Sequence, residues 1–207
     1  MALGARDNRI SRRSWLLAGL AIPLFRARAD ETLDIVFDGD NLRPVLPSLH
    51  FLTGKPLDKL KDARTVAFVS QLTLLEADHV TAFRRKPQRF FVSYAIWEKI
   101  FKVTIPGATP ESRLLPTAEQ AENWCLENLG ISALGMPPDR PYWLRLDLRT
   151  AEPSDLSRVW TDSGFSVSGL IEIFSRKADP KEPHWTMEKH FRLMDLRRTL
   201  ARGDRNG

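Results

Sequence analysis

Alternation of apolar and polar side chains with a period of two recurs along most of this 207-residue chain and limits what it can become. In the first such stretch Leu33, Ile35 and Phe37 alternate with Thr32, Asp34 and Val36. Val66, Phe68, Leu72 and Leu74 share one side of the next. Phe90, Val92, Tyr94 and Ile96 follow, then Phe101, Val103 and Ile105. Tyr142, Leu144, Leu146 and Leu148 stand against Trp143, Arg145, Asp147 and Arg149. Phe165, Val167, Ile171 and Ile173 form another set. In the last, Trp185, Met187, Phe191 and Leu193 oppose His184, Thr186, Glu188 and His190. Period two marks strands with one face buried and one wet. Antiparallel sheets permit that arrangement and parallel ones rarely do. The expectation is a mainly β fold, α+β at the margin: an antiparallel β-sandwich of seven or eight strands.

One segment has helical spacing instead. Thr117 and Gln120 stand at capping-box distance. Ala118, Ala121, Trp124, Cys125 and Leu129 make an apolar stripe, and Gly130 reads as the stop. A shorter helical turn is expected over residues 56–62, with Leu57 and Leu60 inward. Residues 90–96 are expected as a strand, with a helix over residues 94–101 as the alternative.

The opening residues carry a different signal. Arg6, Arg9, Arg12 and Arg13 precede an apolar run from Trp15 to Phe25, and Ala27-Arg28-Ala29 follows. The run is roughly half the ~20 residues that a membrane-spanning helix needs. A basic start, a short apolar middle and a small-residue site are the parts of a cleavable secretory signal. The expected signal covers residues 1–29, with cleavage between Ala29 and Asp30. Ser11-Arg12-Arg13-Ser14-Trp15-Leu16-Leu17 also resembles the twin-arginine export signal, and the general secretory route stays open beside it. Removing residues 1–29 takes away six Arg and one Asp, so the chain's 31 basic and 26 acidic residues fall to 25 of each. Residues 197–207, expected as a basic flexible tail, hold four Arg and one Asp, which leaves residues 30–196 at a net −3. A folded domain without basic excess is not expected to bind nucleic acid. No stable membrane span is expected after cleavage.

Three stretches together resemble an uncharacterised family of exported bacterial proteins, domain of unknown function 4390. They are LHFLTGKPLDKLKDARTVAFVSQLTLL, QRFFVSYAIWEKIFKVTIPG and HFRLMDL. The resemblance spans most of residues 31–196 and implies an exported, mainly β domain with no assigned activity. It offers no catalytic residues to carry over. Asp62-Ala63-Arg64 departs from it, since an Asp-Gly turn is expected there.

Chemistry-bearing residues are sparse. The four histidines, His50, His79, His184 and His190, form no helical i, i+4 pair, and Cys125 is the only cysteine. Cys125 reads most simply as a small buried hydrophobe; an intermolecular disulfide or reactive thiol is the sharper alternative. On a regular last strand His184, Glu188 and His190 point one way. His184 and His190 are then about 20 Å apart, whereas Glu188 and His190, about 7 Å apart, are the metal candidates if ligands come from elsewhere. Asp34, Asp38 and Asp40 alternate around Gly39 and read as solvated turn acids or a hard-cation site. Ser163-Gly164 belongs to turn chemistry, and no nucleophile elbow or phosphate loop occurs.

Arg84, Arg85 and Lys86, with Arg89, flank Pro87 and are expected at a hairpin tip. There they are either a partner-binding patch or a solvated loop balanced by Glu76 and Asp78. Trp97, Trp143, Trp160 and Trp185 fit either a ligand-stacking surface or an ordinary sandwich core.

These features describe an exported, periplasmic, non-enzymatic binding or protein-interaction module. No catalytic residues and no cofactor are expected, and an envelope protein or a small apolar ligand is the expected partner. Two alternatives are an envelope enzyme assembled only in space from Glu188, His190 and the Asp34/Asp38 pair, and a carrier of an apolar ligand inside the sandwich.

Overall fold

A computed structural model describes residues 33–151, 160–161, 164–165 and 182–199. The signal, its cleavage site and most of the expected strand at 165–173 lie outside these residues.

The described residues open with a tight hairpin, β1 (Asp34–Asp38) and β2 (Asn41–Val45), closed by Asp40 and Gly39, which has φ +60°. Helix α1 (Lys55–Lys61) follows, then β3 (Val66–Leu75), β4 (Ala82–Ala95), β5 (Ile100–Ile105) and β6 (Glu111–Leu115). Helix α2 (Ala118–Glu127) leads to the short β7 (Ile131–Ser132) and the long β8 (Pro141–Ala151). Two-residue strands β9 (Trp160–Thr161) and β10 (Gly164–Phe165) form a small ribbon. β11 (His184–Arg192), a short 3₁₀ turn and β12 (Arg198–Thr199) end the described chain. Among the described residues eight strands have five or more residues; β1, β3, β4, β5, β8 and β11 match the alternating stretches, whereas β2 and β6 are not among them.

The main layer is a six-stranded antiparallel sheet in the order β11-β8-β3-β4-β5-β6. Its inner face carries the alternating residues as expected: Phe68, Leu72, Leu74, Phe90, Val92, Val103, Leu144, Leu146, Leu148 and Met187 are all buried. Against it packs a second layer. This comprises the smaller sheet β12-β1-β2-β7, the loop of Leu46, Leu49, Phe51 and Leu52, and both helices. Leu33, Phe37, Leu42, Leu60, Ala121, Cys125 and Leu126 from these elements join the sheet in one core. Phe51 meets Phe68 edge-on at 5.0 Å between ring centroids. The fold is therefore mainly antiparallel β and sandwich-like, with two α-helices among the described residues. None of the described helices is long and apolar enough to cross a membrane.

Both helices end by local chemistry. Thr117 caps α2 by accepting from the Gln120 N–H at 3.1 Å. The helix stops at Glu127 and Asn128 closes it, its side-chain amide donating to the Trp124 carbonyl at 2.8 Å. Gly130 lies beyond that stop, packed near the Leu42 carbonyl and Arg43. Helix α1 ends in a Schellman arrangement: Ala63 N–H donates to the Leu60 carbonyl and Arg64 N–H to the Lys59 carbonyl, both at 3.0 Å. Ala63 has φ +59°, so the turn keeps the left-handed backbone that the expected Asp-Gly would supply.

Around residues 94–101 the strand reading holds and the helical alternative does not: the strand runs to Ala95, residues 96–99 turn, and β5 begins at Ile100. Ile96 is accordingly exposed instead of joining Tyr94 on the inner face. The basic run is no hairpin tip either. Arg84 pairs with Leu74, Arg85 with Thr73, Lys86 with Leu72 and Arg89 with Val69, all inside the β3–β4 ladder, and the tip lies at residues 76–81. Pro87 is tolerated mid-strand because β5 pairs with β4 only from Phe91 onward, which leaves residues 82–90 as an edge.

Candidate functional site

The hairpin between β3 and β4 is the structural centre of two neighbouring features. Its loop is held by local hydrogen bonds. Asp78 accepts from the backbone N–H groups of Val80 and Thr81 and from the Thr81 hydroxyl. These bonds, that of the Thr81 hydroxyl foremost, hold the Asp78 carboxyl below its ordinary range. Glu76 N–H closes the loop onto the Thr81 carbonyl at 2.8 Å, and His79 takes φ +60°.

The first feature is a cleft of about 320 Å³ between this loop and the β7–β8 connection. Phe83, Pro137, Pro141 and Tyr142 give it apolar and aromatic walls; Glu76 and Arg140 supply opposite charges. Phe83 and Tyr142 meet edge-on at 5.9 Å. Burial pushes the Tyr142 phenol above its ordinary value, although Arg140 opposes the shift. Gly135, at φ +81°, turns the opposite wall. Arg84 fixes that wall by donating to the carbonyls of Ser132 and Leu134, the latter at 3.1 Å. Its size stands at the small end of ligand sites, which run from about 300 Å³ upward.

The second feature is a polar ladder on the outer face of β8 and β11. Register sets His190 opposite Trp143, Glu188 opposite Arg145, Thr186 opposite Asp147 and His184 opposite Arg149. Glu188 accepts from Arg145 and lies 2.6 Å from His79 Nε2. Partial burial raises the Glu188 pKa, but the bonds from His79 and Arg145 outweigh it and hold the carboxyl below its ordinary value. Trp143 stands between His79 at 4.6 Å and His190 at 5.0 Å, centroid to centroid. Glu188 and His190 share a face as expected, yet they do not converge on one point: Glu188 turns to Arg145 and His79, His190 to the indole of Trp143. Among the described residues no group of three or more His, Cys, Asp or Glu has the placement of a metal site.

The remaining candidates are separated. Asp34 pairs with Lys189 at 2.9 Å and Asp38 with Arg43 at 2.8 Å, while Asp40 gives its carbonyl to Ala133 N–H. The acids therefore form no cluster, and neither Asp34 nor Asp38 is brought to the Glu188–His190 pair. The basic run is divided by strand alternation. Arg84 and Lys86 share the face of Leu72 and Leu74, whereas Arg85 and Arg89 share that of Val69 and Thr73. Arg89 is partly desolvated, which lowers its pKa, and its guanidinium carbon stands 5.8 Å from the Phe91 ring centroid. These four residues form no common patch. Cys125 is buried; burial foremost, then the Glu122 carboxylate, raises its thiol pKa far out of the reactive range.

Sequence reasoning passed over Glu122. It lies on the buried face of α2, accepts from Leu52 N–H at 2.5 Å and stands 2.9 Å from His50 Nδ1. It thereby ties the loop before α1 to α2. Its one signal is position: residue 122 follows Ala121 and precedes Cys125 by three, inside the helix's apolar stripe. Tyr142 carries the alternation and Phe83 belongs to no alternating set; nothing in their spacing indicates a shared cleft. No family model, curated protein or solved structure matches the chain.

Proposed function

We propose that the chain is exported, loses residues 1–29 and serves on the extracytoplasmic side as a binding module without catalysis of its own. Export rests on the arginine-flanked apolar run and Ala27-Arg28-Ala29, with the family resemblance in support. Binding rests on one observation, the cleft walled by Phe83, Tyr142, Pro137 and Pro141 with Glu76 and Arg140 present. Aromatic walls with few polar groups are the usual build of a small-ligand site. The expected occupant is a small molecule with an apolar body, or an apolar side chain offered by an envelope protein.

Native mass spectrometry of the protein isolated from the envelope tests both halves. The expected species begins at Asp30 and carries a bound molecule or partner. Ala77→Trp, which fills the cleft from the hairpin tip, is expected to lose it. A species beginning at Met1 overturns the export reading. Wild type and Ala77→Trp retaining the same species, or neither retaining any, overturns the binding reading. Replacing Arg12 and Arg13 with Lys is expected to block export if the twin-arginine route is used.

A further inference from the structure

At the end of the six-stranded sheet remote from the cleft, the turn between β4 and β5 projects into solvent. Ala95, Ile96, Trp97, Glu98 and Lys99 are all exposed. Trp97 is 94% exposed, the highest value among the large apolar side chains of the described residues, and Ile96 is 45% exposed. Cross-strand register extends the patch. Ala95 pairs with Ile100, and Lys102 pairs with Leu114, which is itself 64% exposed. Alternation puts Ala95, Ile100, Lys102 and Leu114 on one face of the ladder.

We propose that this hairpin tip is a docking point for an anionic lipid bilayer, with Trp97 and Ile96 entering the boundary between headgroups and acyl chains. Three observations favour a bilayer over another protein. The apolar groups sit on a convex turn, which a deformable lipid interface accepts without a preformed pocket. A tryptophan beside aliphatic side chains is the composition that settles at headgroup depth. Lys99 and Lys102 outnumber Glu98 at the tip, whereas residues 30–196 as a whole carry a net −3, so this local positive charge suits an anionic surface. The proposal shares no residue with the cleft and stands apart from the binding reading.

The test uses the protein as isolated, carrying an environment-sensitive fluorophore on Ala95→Cys or, as a control, on Leu134→Cys. Leu134 is also apolar and 61% exposed, but it neighbours Arg84, roughly 35 Å along β4 from the tip by strand rise. Buried Cys125 does not compete for label. Vesicles of phosphatidylglycerol and phosphatidylcholine are expected to shift the probe at 95 to the blue and leave the probe at 134 unchanged; phosphatidylcholine alone gives a weaker shift. Adding Trp97→Ala should raise the lipid concentration for half-maximal shift about tenfold, the worth of one buried aromatic. No shift at 95, equal shifts at 95 and 134, or an unchanged response with Trp97→Ala overturns the proposal. So does a probe at 95 that vesicles leave unchanged and that an envelope protein buries, because the tip is then a protein contact.

Discussion

Ala63 is a residue at which a small change is expected to help. Its left-handed backbone at the end of α1 costs an L-residue about 1 kcal/mol that glycine does not incur. Ala63→Gly should therefore raise the denaturation midpoint, with an unfolding free energy about 1 kcal/mol higher. Glu122 works in the opposite sense. Glu122→Ala strands the buried Leu52 N–H and should cost about 1–3 kcal/mol in the same measurement, whereas Glu122→Gln keeps an acceptor and should cost less. Glu188 is read by pH. A carboxyl whose folded pKa lies below its unfolded value stabilises fully above the unfolded value and loses that contribution as pH falls through the folded one. Thermal stability should thus decline on acidification below about pH 4, and Glu188→Gln should flatten that limb. The first of these residues was visible in the sequence as a missing glycine. Glu122 and the His79–Glu188 contact were not, because helical and strand periods assign faces, while these contacts join residues 70 and 109 positions apart.

Among the elements, β3, β5, β8 and β11 follow from alternation, and β4 shows where composition misleads. A proline and four basic residues between 84 and 89 carry the composition of a loop, but pairing with β3 keeps them in a strand. An open edge removes the usual objection to proline, and charged side chains suit that edge. Strands β2 and β6 are short and rich in polar residues, so their pattern is weak; partner strands define them. Arg84 ties this layout to the cleft, since its two bonds hold Ser132 and Leu134 in the segment that leads into Gly135 on the cleft's wall. Arg84→Ala should cost about 1.5–3 kcal/mol in stability, the range for a hydrogen bond to a charged group. It should also increase hydrogen exchange at residues 132–136 more than in α2, which it does not touch.

At the scale of the molecule, charge and burial point the same way. The basic excess of the full chain lies in residues 1–29 and 197–207, and the domain between them is mildly acidic. The core is continuous between the six-stranded sheet and its covering layer, and two of the apolar groups left exposed, Ile96 and Trp97, lie at one end of that sheet. Alternation indicated the two-layer build because a face periodicity forces a layer. It left the cleft unseen because that cavity arises where a hairpin tip meets a connection some sixty residues later in the chain, a juxtaposition that only topology creates. The most direct test of the binding reading is heteronuclear NMR of the isotope-labelled protein during titration with an envelope extract. Shift changes should cluster at Glu76, Ala77, Phe83, Gly135, Arg140 and Tyr142, and vanish in Ala77→Trp. Changes confined to other residues, or none at any concentration of extract, would contradict it.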